Sequence, residues 1–344
     1  GVKRNTGFFM MAKSIITEHL QVKRDYAVDL GRFAFAFLVV TLHMPMFANQ
    51  YLLPLARCAV PFFYLVSGYY MFKPDERKFS RSIVHNGRKW LKLYVSYMAV
   101  FMVVSCVLKL FVPGNGFDWT YYDTICLLRE GVSPFIDQVN DERETYGITT
   151  LWFLYEGVVG MLIVYILKKR IGKTSTLLGV FLLYIITVSV NHYFEDRIIP
   201  RFLTASFPAF YAGVFIHCHY DAVADFFRRY KHTLLLAGFF VLYGEYITNR
   251  GGYNEIYHST LPFTCILFLF MKTNECRKAT AMSKIPVKCT LDIYVWHRLV
   301  YFLVCLSGWH LGRASSVVVF FMVFAVSFGV RKQMERLRVF NRIA

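Results

Sequence analysis

Apolar residues recur along the chain in ten blocks that are separated by polar segments. A transmembrane helix needs about 20 apolar residues to cross a bilayer, and most of the blocks approach that length. The ten blocks are 26–47, 53–72, 90–112, 150–167, 175–190, 202–218, 233–248, 258–271, 289–307 and 314–330. Block 258–271 is short and contains Pro262, so it is predicted either as a thin tilted span or as a re-entrant piece. The pattern predicts an all-α, polytopic membrane protein with about ten transmembrane helices.

The charge of the segments between the blocks alternates along the chain. The basic segments are the N-terminal arm, 73–89, 168–174, 219–232, 272–288 and the tail. The intervening segments contain no lysine and few arginines, and they are 48–52, 113–149, 191–201, 249–257 and 308–313. Because lysine and arginine concentrate in cytoplasmic loops of membrane proteins, this alternation predicts an even number of spans with both termini cytoplasmic.

We interpret residues 1–344 as one integral membrane domain. Residues 1–25 form a cytoplasmic arm in this interpretation, and 331–344 form a basic cytoplasmic tail. The longest extracytoplasmic segment is 113–149, in which acidic residues outnumber arginines. We interpret it as an acidic solvated loop, and the alternative is a lid over an outward-facing site.

Composition supports the membrane setting and limits the partners. Of the 344 residues 56% are hydrophobic and 18% are aromatic, and the mean hydropathy is +0.41, outside the usual range of soluble domains. The net charge of +17 is explained by the basic cytoplasmic loops, so membrane lipid is the expected partner and nucleic acid is not. The eight cysteines form no CxxC pair, so neither a metal site nor a disulfide framework is expected.

The first block carries ionisable residues within otherwise apolar sequence. These are Asp29, Arg32 and His43. Ionisable groups are costly in hydrocarbon, so they usually mark a functional site. Arg32 and His43 are eleven positions apart, about 16 Å along a helix. One of them is therefore expected near the entry side of the membrane and the other near or beyond its middle.

Other blocks contain further polar candidates. Glu156 lies in the fourth block, and His297 and Arg298 lie in the ninth. An arginine at this depth requires a carboxylate or an anionic ligand, and Glu156 is a candidate partner for Arg298. In the second block, the Ser67-Gly68 pair leaves a small polar spot that either another helix or a ligand can approach.

These motifs together resemble the acyltransferase-3 family of integral membrane proteins. The motifs are Arg32 and His43 with ten residues between them, VPFFYLVSGYY with Ser67-Gly68-Tyr69, LWFL at 151–154 and YVWH at 294–297. The resemblance covers essentially the whole chain as a ten-span domain. The wording of the second block is also similar to the membrane domain of the serine racemases of vancomycin-resistance clusters. One departure is the basic Arg-x-x-Arg element expected after the second span, because the basic residues here are spaced differently.

The resemblance implies an enzyme that moves an acyl group, commonly acetyl, from cytoplasmic acyl-CoA to a hydroxyl of a cell-surface glycan or lipid-linked glycan. It implies His43 and Arg32 as catalytic residues, with His43 acting either as a base or as a transient acyl carrier. Basic residues suited to phosphates and the polar spot of the second block are the acyl-CoA-binding candidates, namely Ser67, Arg77, Arg81, Arg88 and Lys89. The other intramembrane polar candidates are Asp29, Tyr69, Glu156, His297 and Arg298.

The expected location is the inner (plasma) membrane of a bacterial cell, and acetyl-CoA or another acyl-CoA is the expected donor substrate, without a metal. The alternative function is transport of a small polar solute such as an amino acid, since polar residues within spans fit both. A catalytically silent scaffold is a third hypothesis. The sequence leaves the acceptor, the acyl group and the oligomeric state open.

Overall fold

The structure, a computed structural model, describes residues 25–44, 49–111, 151–194, 199–249, 256–274, 287–307 and 312–343. The arm before residue 25 lies outside the described residues, as does segment 113–149, for which a solvated loop or a lid is predicted. The described residues contain helices and their connections but no strand. The prediction of an all-α fold is therefore confirmed for this part of the chain.

The described residues form eleven α-helices in chain order. They are α1 (Tyr26–His43), α2 (Asn49–Arg57), α3 (Ala59–Met71), α4 (Glu76–Phe111), α5 (Trp152–Ile166), α6 (Thr174–Tyr193), α7 (Phe207–Cys218), α8 (Tyr220–Thr248), α9 (Thr260–Thr273), α10 (Val287–Leu306) and α11 (Ser315–Ile343). A π-helical turn, Phe202–Ser206, leads directly into α7. Short 3-10 turns precede α6 and α11 at Lys168–Arg170 and Gly312–Ala314.

Where the apolar blocks fall on described residues, each of the ten coincides with helix, and the second block is divided between α2 and α3. Within the described ranges, four helical stretches are long and apolar enough to cross a membrane, namely Tyr26–His43, Tyr51–Met71, Thr174–Tyr193 and Gly312–Gln333. Shorter apolar helices are Trp152–Ile166, Phe202–Cys218 and Thr260–Thr273. The count of ten spans and the side of the termini remain predictions. Pro262 lies in the first turn of α9, where a missing N–H costs no helical hydrogen bond, so it does not break that helix.

Contacts at the two ends of α1 show that its neighbours run in the opposite direction. At the start of α1, the Asp25 carboxylate accepts hydrogen bonds from Tyr70 at the end of α3 (3.3 Å) and Lys272 at the end of α9 (2.7 Å). Beyond the other end, the Met44 carbonyl accepts a hydrogen bond of 2.9 Å from Ser316 at the start of α11. We name the two ends of the bundle the Asp25 end and the Met44 end. The positive-inside rule predicts that the Asp25 end is cytoplasmic.

Helices α3 and α7 approach each other closely through glycine on both sides. A Cβ atom on Gly68 would collide with the carbonyl oxygen of Phe210, and one on Gly213 would collide with the carbonyl oxygen of Leu65. Backbones can approach this closely only where side chains are absent, as is common between membrane helices. The large rings of Tyr64 and Phe210 are fully buried beside this contact. The α3–α7 interface is therefore the tightly packed centre of the bundle.

Candidate functional site

A cavity of about 350 Å³ lies between α1, α3, α4, α5 and α10. Its polar lining includes Arg32, Ser67, Tyr70, Asn86, Lys89 and Thr290. Its apolar and aromatic lining includes Phe63, Met71, Trp90, Leu93, Phe153, Leu154, Met161, Leu291 and Tyr294. Pockets of this kind, mostly apolar with a few placed polar groups, are typical of ligand sites. The cavity brings together three of the residues predicted from the sequence.

Arg32 is held at the cavity wall by its own helix and by α3. Its Nη1 atom donates a hydrogen bond to the Asp29 carboxylate at 3.2 Å, and the two residues are one helical turn apart. Its guanidinium carbon lies 5.6 Å from the centre of the Tyr70 ring, within range of a cation–π interaction. Asp29 therefore positions Arg32 rather than lining the cavity itself.

Helices α3 and α4 supply the other polar groups of the cavity. The Ser67 hydroxyl donates to the Phe63 carbonyl at 2.7 Å, which holds it against its own helix. Lys89 and Asn86 are three positions apart on α4, so they share one face of that helix. The ammonium of Lys89 and the guanidinium of Arg32 make this part of the cavity cationic. The small polar spot at Ser67-Gly68 therefore contacts both a helix and the cavity. Ser67 lines the cavity, and Gly68 packs against α7.

The remaining basic candidates of α4 lie elsewhere. Arg77 and Arg81 line a separate open groove of about 540 Å³ together with Glu76, Ser80 and Lys168. The Lys168 ammonium is 3.8 Å from the Glu76 carboxylate in that groove. Arg88 is exposed and lines neither space. The structure thus divides the five predicted acyl-CoA-binding residues between two sites and leaves one of them outside both.

His43 and His297 form a stacked pair between α1 and α10. Their ring centroids are 5.3 Å apart with an angle of 29° between the planes. His297 is fully buried, and its Nδ1 donates to the Ile293 carbonyl at 3.1 Å, which leaves the lone pair on Nε2. Among the described residues that Nε2 has no hydrogen-bond partner. The His43 side chain is accessible, so the pair combines a buried imidazole with a reachable one.

Three arginines of the described part of the chain lie close enough to His43 to affect it electrostatically. His43 interacts electrostatically with Arg57, Arg201 and Arg298, which come from three different parts of the chain. The Arg201 guanidinium also lies 4.6 Å from the Trp152 ring centre. Sequence reasoning singled out only Arg298. Arg57 could have been recognised from the sequence, since it is a charge inside the second apolar block. Arg201 is the last residue of a polar segment, where an arginine is unremarkable.

Glu156 and Arg298 both lie near Tyr294. Glu156 is buried on α5, and the Tyr294 hydroxyl interacts electrostatically with Glu156, Arg298 and Arg201. The Ser206 hydroxyl of the π-helical turn donates to the Glu156 carbonyl at 2.8 Å, which ties α5 to α7. The direct pairing of Glu156 with Arg298 stays a prediction.

Tyr69 lies apart from the other candidates. Its ring centre is 4.7 Å from that of His217 and 5.1 Å from that of Phe268, and the side chain is buried outside the cavity. Its neighbour Tyr70 lines the cavity instead. The sequence motif therefore pointed to the right turn of α3, but side-chain direction decides which tyrosine reaches the cavity.

The cavity and the histidine pair meet at Tyr294. This residue lines the cavity, and its ring centre is 6.2 Å from that of His297. The order from the Asp25 end is therefore Arg32, the cavity, Tyr294 and then the histidine pair. A substrate bound in the cavity would lie between the cationic side chains of Arg32 and Lys89 on one side and the histidine pair, beyond Tyr294, on the other.

Comparison with known proteins gives one match. A family model described as an acyltransferase domain, that of the acyltransferase-3 group, matches residues 25–331. The matched range runs from the residue that caps α1 to a residue within α11. No curated protein and no solved structure matches the chain.

Proposed function

The chain belongs to the acyltransferase-3 family, and from this premise we propose that it is an O-acyltransferase that uses acyl-CoA, most simply acetyl-CoA, as donor. Because it belongs to this family and contains several apolar helices, the protein is a multi-pass membrane acyltransferase. The proposed acceptor is a hydroxyl of a cell-surface glycan or lipid-linked glycan at the inner membrane of a bacterial cell. The observation that carries the proposal is the convergence of Arg32, Ser67 and Lys89 on one cavity that ends beside the histidine pair.

The donor would enter from the Asp25 end. The groove with Arg77, Arg81 and Lys168 suits the phosphates of the nucleotide, because clustered cations bind phosphate oxygens through charge-assisted hydrogen bonds. Arg81 and Lys89 are eight positions apart on α4, about 12 Å along the helix. An extended pantetheine arm could cross that distance and place the thioester in the cavity. Arg32 would then hold the carbonyl oxygen of the acyl group.

The acceptor would approach from the Met44 end, where His43 is accessible. In one mechanism His43 takes the proton of the acceptor hydroxyl as its oxygen attacks the thioester carbon, and the coenzyme A thiolate leaves and is protonated. In the other, His43 itself accepts the acyl group and passes it to the hydroxyl. In both, Arg57, Arg201 and Arg298 would stabilise negative charge that develops near His43.

The test is acyl-CoA turnover by the purified protein in lipid nanodiscs. Isotope-labelled acetyl-CoA is supplied with an extract of lipid-linked glycans, and released coenzyme A and labelled acceptor are measured. His43→Ala and Arg32→Ala should lose turnover. The matched control is Arg88→Ala, since Arg88 neighbours Lys89 but lines neither space.

Two results would contradict the proposal. One is a folded protein that neither binds nor turns over any acyl-CoA but shows counterflow of an amino acid in vesicles, which would identify a transporter. The other is a cellular phenotype that persists in His43→Ala, which would identify a silent scaffold.

A further inference from the structure

A second group of polar side chains lies away from the cavity, near the Met44 end, where α6, α8 and the turn before α9 meet. The Nδ1 atom of His258 is 2.7 Å from a carboxylate oxygen of Glu245 on α8. Its Nε2 atom is 2.9 Å from the hydroxyl of Ser189 on α6. The three side chains form a continuous hydrogen-bonded chain of serine, histidine and glutamate.

The carboxylate determines the direction of these hydrogen bonds. An ionised glutamate only accepts, so the proton of the neutral imidazole resides on Nδ1 and the lone pair on Nε2. The Ser189 hydroxyl must then donate to Nε2 of His258. This is the order of nucleophile, base and orienting carboxylate by which hydrolases and transacylases activate a serine.

The turn that carries His258 is rigidly held. The same Glu245 carboxylate accepts hydrogen bonds from the backbone N–H groups of His258 (2.7 Å) and Ser259 (3.0 Å) and from the Ser259 hydroxyl (2.6 Å). The Tyr184 hydroxyl donates to the Tyr257 carbonyl at 2.6 Å. Such support keeps the imidazole in one orientation, which a catalytic base requires.

The position of Ser189 indicates where a substrate would come from. Ser189 is exposed on the face of α6 that also exposes Leu182, Ile186 and Tyr193. These positions follow helical spacing, so they form one apolar stripe, and in a membrane protein such a stripe faces lipid. Ser189 is near the last turn of α6, so its hydroxyl opens at the edge of the bilayer. An amphiphile in the adjacent leaflet could reach it.

We propose that Ser189, His258 and Glu245 form a second acyl-transfer site that takes its acyl group from an ester of a membrane amphiphile. The Ser189 oxygen attacks the ester carbonyl carbon, its proton passes to His258 Nε2, the ester C–O bond breaks, and the leaving alcohol takes that proton. An acyl ester on Ser189 results. Water or another hydroxyl then attacks this ester with His258 as base, and the proton returns to Ser189.

A metal ion is the competing use of the same residues. His192 lies beside the pair, and its ligand atoms and those of Glu245 and His258 lie within 4.8 Å of one another. However, both nitrogens of His258 and both carboxylate oxygens of Glu245 are already engaged in hydrogen bonds, and His192 Nε2 donates to the Ile256 carbonyl at 2.9 Å. A cation would have to replace these bonds, so the existing network favours the acyl-transfer site.

The test uses an alkyl fluorophosphonate and a p-nitrophenyl ester with the full-length protein in nanodiscs. Peptide mass spectrometry should find the phosphonyl or acyl adduct on Ser189, with a burst of about one p-nitrophenol per protein. Ser189→Ala should lose the adduct. Ser175→Ala should keep it, because Ser175 is an exposed serine near the opposite end of the same helix.

The roles of the other two residues have their own readouts. His258→Gln and Glu245→Gln should each slow labelling by about 100-fold or more. Glu245→Asp should restore part of the rate, which a merely structural loss would not do. Thermal unfolding of each variant identifies any that fails to fold.

Three outcomes would overturn the inference. They are a folded wild-type protein that takes no label, a label that persists in Ser189→Ala, and stoichiometric zinc binding that His192→Ala abolishes. The test uses no acyl-CoA, so its result is independent of the function proposed for the cavity.

Discussion

The two histidine centres differ in how their imidazoles are bound. At the first centre, His43 stacks on His297, arginines lie nearby, and Nε2 of His297 has no hydrogen-bond partner among the described residues. At the second, both nitrogens of His258 are hydrogen-bonded to side chains from other helices. At the first centre, a bound substrate can supply the hydrogen bond that Nε2 of His297 lacks. At the second centre, the hydrogen bonds that orient His258 are formed before any substrate binds.

The two centres also differ in what reaches them. The first lies beyond a cavity lined by Arg32 and Lys89, which suits a polar, anionic ligand that enters the bundle. The second opens beside exposed apolar side chains of α6, which suits an amphiphile that remains in the bilayer. If both proposals hold, one chain would offer acyl chemistry to two chemically different kinds of substrate.

The largest expected effect comes from disrupting the α3–α7 interface, because this should disturb both histidine centres at once. Gly213→Leu places a side chain against the Leu65 carbonyl oxygen, and overpacking in a core costs about 1–3 kcal/mol or more of unfolding free energy. We expect the variant to lose monodisperse protein in size-exclusion chromatography, along with both activities. Gly179→Leu is the control, because nothing lies within 4 Å of a Cβ on Gly179. Equal stability of the two variants would refute the importance of the α3–α7 interface.

Removal of the first centre alone comes next. His43→Ala should lower acyl-CoA-dependent transfer by about 10²–10⁴-fold, which is the usual contribution of a general base. The measurement is labelled acyl product formed per unit time in nanodiscs. His85→Ala is the control, since His85 is exposed on α4 and does not line the cavity. Retention of wild-type turnover by a folded His43→Ala would show that His43 is structural.

A weaker effect is expected at the donor side of the first centre. Lys89→Ala should raise KM for acyl-CoA by about tenfold or more, because a hydrogen bond to a charged group contributes about 1.5–3 kcal/mol. Initial rates against acyl-CoA concentration give the value. Arg88→Ala should change KM by less than about twofold, as expected of an exposed charge. A rise in KM as large for Arg88→Ala would place the phosphates on the exposed face of α4 instead.

The smallest expected effect tests how firmly the second centre is organised. Glu245→Gln replaces a charged acceptor of four hydrogen bonds, and we expect a loss of about 1 kcal/mol in unfolding free energy. Thermal unfolding in detergent measures it. Glu76→Gln is the control, since its ion pair with Lys168 is exposed and such pairs contribute little. If the two variants unfold alike, the network around His258 is no more than a surface contact.

The sequence alone determined the class of the fold and the family. A long apolar block satisfies its backbone hydrogen bonds within itself when it is helical, so the apolar blocks and the helices coincide. The cost of a charge in hydrocarbon also made Arg32 and His43 candidates without any knowledge of packing. The motif at 294–297 marked His297 in the same way, and the structure stacks it on His43.

Only the tertiary structure decided which candidates meet. Successive residues of a helix point about 100° apart, so Lys89 reaches the cavity and the adjacent Arg88 does not. Ser189 and His258 are 69 positions apart, and no local sequence pattern predicts their contact. Periodicity reports which face of a helix is apolar, but the rotation and register of one helix against another depend on close packing, as at Gly68 and Gly213. That packing brought distant polar side chains together into two separate centres.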